Sequence, residues 1–480
     1  MQLSLLNREK AKAAVSNSAI YHFSLDRVFS EVCADAEKRD YFLSVIAAPL
    51  DSDKEINYRR DVLRELYENR HVLQSLSSLL FELCSLRDQK KKAARVHFGV
   101  QAQKNTSPES ARNALQGEAA LLKRILLALL SIDDILGEDI SSEGLLCLKS
   151  AICEITRKPQ FTELLNACTD YEDLSLSRCT EFAFHIENER SGVKYSLMRE
   201  MTVPVPEERR GIFRAKKEKT ADKCIIIEPE SKEDRKSVTV SALSDITYSL
   251  SSIARELLER FCPIYRQLDF YAVAIEYTDR CRHKGLPLCY GKHSDEKLFE
   301  ITELYDPLLA FTAPDSRNIV PHSFKTENGC NGILILGDSG SGKTVLLRSI
   351  GCAQLLHQAG LPVTAKEASF PDFSAIISHF AEAEKNFTAG NSAGRFEQEV
   401  AELAKTVDTV CNGSAVFLNE IFQSTDHKEG AAALFDILDY VNDTGAIWLL
   451  VTHLADAAGL FANKSIKILH INEEHQIDYK

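Results

Sequence analysis

The chain has 480 residues, of which 44% are hydrophobic and 26% are charged, and its formal net charge is −13. This length predicts two or three domains, and the composition excludes a disordered or fibrous protein. The negative charge excludes a protein that coats nucleic acid with its whole surface, but it leaves room for a local basic patch. Residues 125–132 form the longest apolar run before the last third of the chain, and this run is too short to cross a membrane. Because the N-terminus has no signal-peptide pattern, we expect a cytoplasmic protein.

The thirteen cysteines are spread along the chain and form no C-x-x-C pair. Most of them, including Cys84, Cys147 and Cys352, lie within apolar runs, which is typical of core thiols rather than of disulfides or metal ligands. We therefore expect free thiols in a reducing compartment.

The first part of the chain, residues 1–110, is predicted to be a helical domain. Residues 51–53 (Asp-Ser-Asp) are typical of a helix N-cap, and apolar residues recur after them at helical spacing. These apolar residues are Ile56, Val62, Leu63, Leu66, Val72 and Leu73. Amphipathic stretches at residues 118–136, 143–155 and 161–167 continue the helical pattern into a second predicted domain, residues 111–290.

Residues 202–240 interrupt this pattern, because two prolines near their start are incompatible with a helix interior. Strand-like pieces are predicted at residues 224–227 and 237–240. The next helix is predicted at residues 244–268, and Pro263 leaves open an interruption within it. Basic and acidic residues alternate before these pieces, so the segment is either a solvated turn or a phosphate-binding surface. Its basic residues are Arg209, Arg210, Arg214, Lys216, Lys217 and Lys219.

The last predicted domain, residues 291–480, has an α/β pattern. Short apolar runs alternate with helical segments, as they do in a parallel sheet with crossover helices. These runs are residues 332–336, 415–418, 446–451 and 466–471. The predicted fold class is therefore multidomain, with helical domains followed by an α/β domain.

A complete phosphate-binding P-loop pattern, G-x-x-x-x-G-K-[ST], lies in the α/β part. Its residues are Gly337, Asp338, Ser339, Gly340, Ser341, Gly342, Lys343 and Thr344. A strand-like run precedes the pattern and a helical one follows, which is the context that a P-loop requires. The backbone N–H groups would surround phosphate oxygens, Lys343 would reach the β- and γ-phosphates, and Thr344 would ligate Mg²⁺. The sequence thus predicts a P-loop NTPase domain that binds ATP and Mg²⁺.

Two later strands are predicted to deliver polar residues to the same edge of the sheet. One ends in Asn419 and Glu420. Asn419 stands where an acidic residue normally supports Mg²⁺, so it would act through water, and Glu420 is suited to orient the attacking water. The other strand ends at His453, which could polarise the γ-phosphate. The alternatives are a surface glutamate at a strand end and a core histidine.

At these residues the sequence resembles the MutS family, the ATPases of DNA mismatch repair. The stretches that carry the resemblance are residues 332–344, 360–368 and 419–430 and the pair Thr452 and His453. Within them Glu420, Thr425 and Gly430 fall on motif positions of the family. The resemblance is strong over the C-terminal third and fainter over the helical part. Weaker similarity at residues 305–307 and 318–322 implies that Val320 lines the adenine side of the site.

The resemblance also implies a homodimer in which two ATPase domains enclose two nucleotides. Ser392 is the candidate that would complete the partner's site in trans, near the γ-phosphate. Arg395 is an alternative trans cation, and a helix-capping loop is the alternative without function. The helical domains would then be a core and a lever. Residues 202–240 would take the place of the family's clamp, with double-stranded DNA, branched or bent, as the partner.

Three departures from the family shape the prediction. Few residues precede the helical core, so the mismatch-recognition domain is expected to be absent. Residues 202–240 are short for a clamp, and Asn419 replaces the family's Walker B aspartate. The leading hypothesis is an ATP-driven DNA clamp with slow hydrolysis. The second is a non-catalytic dimerisation switch, or a structure-specific or ribosome-associated relative. A P-loop kinase or a transporter ATPase fits the context less well.

Overall fold

A computed structural model describes most of the chain. The described residues are 3–8, 13–16, 18–99, 107–172, 182–189, 192–200, 232–294, 298–315, 318–381, 392–422, 427–453 and 465–478. They divide into two compact units, one of residues 74–139 and 147–265, and the other of residues 2–73, 140–146 and 266–480. The domain boundaries predicted from the sequence stay predictions, and the structure groups the N-terminal residues with the C-terminal α/β region.

Helices dominate the part of the chain before residue 284, and strands concentrate after it. The helices are α1 (Ala19–His22), α2 (Leu25–Val32), α3 (Ala36–Ile46), α4 (Asp53–Glu68), α5 (Arg70–Gly99), α6 (Pro108–Leu136), α7 (Glu143–Thr156), α8 (Pro159–Glu172), α9 (Lys232–His283), α10 (Pro307–Thr312), α11 (Lys343–Gln358), α12 (Ser392–Val407) and α13 (His427–Asp443). The strands are β1 (Ala14–Val15), β2 (Phe182–Glu189), β3 (Gly192–Glu200), β4 (Lys292–His293), β5 (Glu300–Leu304), β6 (His322–Lys325), β7 (Gly332–Gly337), β8 (Glu367–Phe370), β9 (Ala375–Phe380), β10 (Ser414–Asn419), β11 (Ile447–Val451), β12 (Ile466–Ile471) and β13 (Ile477–Asp478). The predicted combination of helical and mixed α/β content is confirmed.

The first unit is mainly helical. Helix α6 carries buried side chains along its length, including Leu115, Leu122 and Leu129. α6 packs against α8, and Lys123 Nζ lies 2.6 Å from Glu172 Oε2 across this contact. β2 and β3 form an antiparallel hairpin, which the helical pattern of the sequence did not indicate.

The strand predicted at residues 237–240 is wrong, because α9 already begins at Lys232. The local β-propensity of this stretch is overridden by helical packing, in which the next residues, Ala242 and Leu243, are buried. α9 also continues through Pro263, so the open question of an interruption is settled. The proline removes one helical hydrogen bond, and burial of the side chains around it offsets that loss.

The second unit is built on a seven-stranded sheet in the order β1-β9-β10-β11-β7-β12-β13. Neighbouring strands are parallel except for β12 and β13. β10 and β11 are buried along their whole length, as central strands of a parallel sheet are. A four-stranded sheet in the order β4-β8-β5-β6 belongs to the same unit. The four strands predicted from apolar runs are β7, β10, β11 and β12.

The N-terminal residues are part of this sheet and its core. Ala14 pairs with Ala375, and Val15 pairs with Ile376, in parallel register. The Phe23 ring meets the Phe417 ring of β10 edge-on, with 4.9 Å between the centroids. No helix in the described ranges is long and apolar enough to span a membrane.

Candidate functional site

The loop between β7 and α11 requires glycine at three positions. Gly337, Gly340 and Gly342 have φ angles of 147°, 83° and 102°, in the region that side chains strongly disfavour. A Cβ added to Gly337 would also overlap the backbone oxygen of Ile471 on β12. The loop therefore curls closely against the sheet edge and leads into the N-terminus of α11, an arrangement that suits phosphate.

Lys343 is 4% exposed and lies inside this loop. Its Nζ donates to the carbonyls of Gly337 at 2.8 Å and Asp338 at 2.7 Å. No carboxylate pairs with it in the part of the chain that the structure describes. A buried ammonium group without an anionic partner is costly, and phosphate oxygens would supply that partner. The hydroxyl of Ser341 is buried and has no hydrogen-bond partner among the residues that the structure describes, which also fits a phosphate oxygen.

Thr344 and Asn419 are brought together by the contact of α11 with β10. The Thr344 hydroxyl donates to Asn419 Oδ1 at 2.9 Å. Both residues offer neutral oxygens, the kind of donor that Mg²⁺ accepts while it keeps several waters and phosphate ligands. Within the described ranges, no group of three or more His, Cys, Asp or Glu side chains could hold a metal by itself. The pair thus fits Mg²⁺ that arrives with a polyphosphate.

Glu420 and His453 follow directly after β10 and β11. In the sheet, Asn419 pairs with Val451, so both strands end at the edge where β7 enters the loop. The Glu420 N–H donates to the Val451 carbonyl at 2.9 Å, and Glu420 has a φ of 51°. A left-handed backbone is uncommon for glutamate, and such backbones cluster at functional sites. His453 is exposed, and Thr425 lies outside the described residues.

A cavity of about 380 Å³ adjoins the loop. Its lining includes Leu309, Val320, His322, Gly340, Gly342 and His475. This volume is within the range of small-molecule sites. Val320, which the sequence predicts on the adenine side, therefore lies in the same lining as the loop glycines.

Two histidines also belong to this lining: His322, which ends the stretch 318–322 of weaker family similarity, and His475, which the sequence did not single out. His475 lies on the turn between β12 and β13, and its Nδ1 donates to the Ser341 carbonyl at 2.7 Å. Burial, and secondarily His475, lowers the pKa of His322 to about 4, so this ring is neutral at neutral pH. No sequence motif marks His475, because its contact with Ser341 joins distant parts of the chain.

Other predicted residues cannot be placed by their side chains. Ser392 is the first residue of α12, but its side chain, like that of Arg395, is outside the described set. The six basic residues proposed to contact DNA also lie outside it. They are Arg209, Arg210, Arg214, Lys216, Lys217 and Lys219.

Residues 333–479, which contain the loop and all the strand ends above, match the family model of MutS domain V. This part of the chain is therefore similar to the MutS family. Proteins named Endonuclease MutS2 are among its relatives. The one from Anaeromyxobacter sp. is 29% identical over 166 residues, 34% of this chain and 20% of that protein. The one from Geobacillus sp. is 25% identical over 264 residues, 52% of this chain and 32% of that protein. The one from Shouchella clausii is 25% identical over 276 residues, 55% of this chain and 33% of that protein.

The MutS resemblance inferred from the sequence is thereby confirmed. The chain spans a fifth to a third of the length of these relatives. Their activities and partners therefore come to this chain only as proposals.

Proposed function

We propose that this MutS-like chain binds ATP with Mg²⁺ at residues 337–344, hydrolyses it slowly, and couples the cycle to a DNA clamp. The observation that carries the proposal is the buried ammonium of Lys343, which has no carboxylate partner among the described residues. The loop that holds it lines, through Gly340 and Gly342, a cavity large enough for a nucleoside. A positive charge held in that place by two carbonyls is matched by a polyphosphate.

Each residue of the site has one proposed role. Lys343 and the loop N–H groups bind the β- and γ-phosphates, and Val320 faces the adenine. Thr344 would hold Mg²⁺ directly and Asn419 would hold it through water; when bound, the ion would neutralise charge on the phosphates. Glu420 orients the attacking water, and His453 approaches the γ-phosphate from the next strand end. In a homodimer, Ser392 of one chain completes the site of the other.

A second candidate function is a non-catalytic switch, in which ATP only promotes dimerisation. The observation that favours it is Asn419, whose neutral amide contacts Thr344 where a carboxylate would hold the metal more strongly. Loss of one charge beside the metal could remove a few kcal/mol of transition-state stabilisation, an order of magnitude typical of such groups.

Steady-state ATPase assays on the wild type, Glu420→Gln and Asn419→Asp separate the two candidates. Slow turnover that disappears in Glu420→Gln and rises in Asn419→Asp supports the ATPase. If the wild type shows no ATP hydrolysis and Asn419→Asp hydrolyses ATP, the switch is supported. Turnover unaffected by Glu420→Gln would contradict the role assigned to that carboxylate.

The DNA-clamp part of the proposal is supported by the similarity to the MutS family. If the six basic residues of the 202–240 segment contact phosphates, affinity for DNA falls with salt, with a log–log slope of about −0.9 per contact. We expect binding to branched or bent duplexes. Replacement of Arg209 and Arg210 by alanine should make the fall of affinity with salt less steep. Binding that does not respond to salt would contradict a clamp that holds phosphates.

A further inference from the structure

Asp306 is a buried carboxylate whose two oxygens bond to two different helices. The residue is 4% exposed and caps α10, where its Oδ1 accepts from the Leu309 backbone N–H at 2.9 Å. Its Oδ2 accepts from Arg348 Nε at 2.9 Å and Nη2 at 2.8 Å, and from the Ser349 hydroxyl at 3.2 Å. Because Arg348 and Ser349 belong to α11, this one carboxylate ties α10 to α11.

These two helices form different parts of the cavity wall. α10 supplies Leu309 and Thr312, and Ala313 follows it, whereas α11 begins in the phosphate-binding loop and supplies Val345 and Ser349. Leu309 is apolar, yet it is 38% exposed. A ligand in the cavity would cover this apolar surface, which is a favourable contribution to binding. The spacing of α10 from α11 therefore sets the width of the cavity beside the loop.

We propose that the ion pair of Asp306 with Arg348 is a positioning device that sets the affinity of the site for the nucleoside half of a nucleotide. The inference rests on the nucleotide-binding function proposed above. The phosphate half is held separately, because Lys343 has its own partners in the Gly337 and Asp338 carbonyls. Asp306 itself lines the cavity, so the ion pair acts on the ligand through Asp306 and through the side chains of α10.

Asp306→Asn isolates this role, because asparagine has the same shape. Its side-chain oxygen can still accept from the Leu309 N–H, so the cap of α10 is retained. Its NH₂ group, however, would face Arg348, and two buried donors repel where an acceptor and a donor attract. α10 would be released from α11 without a change of side-chain volume.

The experiment compares the affinity for two ligands, ATP and inorganic tripolyphosphate, each with Mg²⁺, by isothermal titration calorimetry on the full chain. We expect Asp306→Asn to weaken ATP binding on the order of tenfold, the effect of a lost charge-assisted hydrogen bond. Binding of tripolyphosphate should change by less than about twofold, because it needs only the loop. Glu300→Gln is the matched control, since it breaks an exposed ion pair with Lys325 away from the cavity, and it should change neither affinity.

A double-mutant cycle gives a second readout. If Asp306 and Arg348 act as a unit, Asp306→Asn combined with Arg348→Met loses no more ATP affinity than the weaker-binding single variant. Arg348→Lys, which keeps the charge but not the two-point contact, should show a smaller loss that is again specific to ATP. Additive losses would contradict the proposed coupling.

Two outcomes of the titrations would overturn the inference. An equal loss of affinity for ATP and for tripolyphosphate would mean that the ion pair supports the phosphate-binding loop. An unchanged affinity for ATP would mean that the ion pair does not position the nucleoside. If the wild-type chain bound neither ligand, the proposed function itself would fail, and this inference with it.

Discussion

The phosphate-binding loop depends on the space available at individual glycines. A Cβ at Gly337 would overlap the Ile471 oxygen and approach the Ser341 hydroxyl, whereas a Cβ at Gly340 would meet no heavy atom within 4 Å. Both residues have positive φ, so alanine strains the backbone at either position. The two positions differ because only a Cβ at Gly337 would overlap the Ile471 oxygen.

We predict that Gly337→Ala destabilises the second unit by more than Gly340→Ala, by about 1–3 kcal/mol, the usual cost of inserting atoms into a packed region. Urea unfolding of the two variants measures this difference. Equal destabilisation would show that backbone strain, and not contact with β12, makes glycine necessary at Gly337.

At the scale of single residues, the sequence predicted those that lie in a continuous motif or at the end of an apolar strand. Lys343 and Thr344 were found because their spacing in the P-loop is fixed, and Asn419 was found because it ends an apolar strand. His475 and the ion pair of Asp306 with Arg348 were not found, since each contact joins segments that are far apart in the chain. The roles of all these residues stay proposals.

At the scale of elements, a buried arginine of α4 holds the N-terminal residues against the end of α11. Arg59 is 2% exposed; its Nε donates to the Leu6 carbonyl at 2.9 Å, and its Nη1 donates to the Ala359 carbonyl at 3.1 Å. The guanidinium also lies over the Phe270 ring, 5.4 Å from its centroid. Burial lowers the pKa of Arg59 to about 10, so it remains charged at neutral pH. A cation beside the last carbonyls of a helix is favourable.

We predict that Arg59→Met destabilises the chain by about 2–4 kcal/mol, because two buried carbonyls lose their donors. Arg64→Met is the control on the same helix: the Arg64 side chain is 53% exposed, and its loss should cost less than about 1 kcal/mol. Chemical unfolding gives both values. A similar cost for the two variants would contradict the part assigned to the buried arginine.

Helices α4, α6, α7, α8, α9 and α11 and strands β7, β10, β11 and β12 could be predicted from apolar periodicity. β1 could not, because two residues carry no periodic signal and the strand exists only through its pairing with β9. α9 was predicted too short for a related reason. Pro263 in its interior and the β-branched residues near its start argue locally against a helix. Burial of side chains along α9 outweighs these local preferences.

At the scale of the whole molecule, the half-buried His22 and the buried His322 make the free energy of unfolding depend on pH. Burial is the main cause that lowers the pKa of His22 and of His322 to about 4. His22 stacks on Phe380 with 4.6 Å between the ring centroids, and its Nδ1 lies 2.9 Å from the Ser378 hydroxyl. In the unfolded chain both rings take up a proton near pH 6.5.

The unfolded state therefore binds more protons than the folded state between about pH 6.5 and 4, and the free energy of unfolding falls as the pH falls through this window. We predict that His22→Leu reduces this pH dependence, whereas His71→Leu, at an exposed position of α5, leaves it unchanged. Urea midpoints at neutral and mildly acidic pH measure the effect. If His22→Leu left the pH dependence of the urea midpoint unchanged, the neutral state of the His22 ring in the folded protein would be contradicted.

The central claim is that residues 337–344 bind ATP through Lys343. Isothermal titration of ATP and Mg²⁺ into the wild type, Lys343→Met and Lys325→Met tests it most directly, since Lys325 is an exposed lysine on β6 paired with Glu300. We predict saturable binding in the wild type and in Lys325→Met. In Lys343→Met we predict a loss of about tenfold to a hundredfold, the range expected when charge-assisted hydrogen bonds to phosphate are removed. Equal affinity in all three proteins, or no binding in the wild type, would contradict the account.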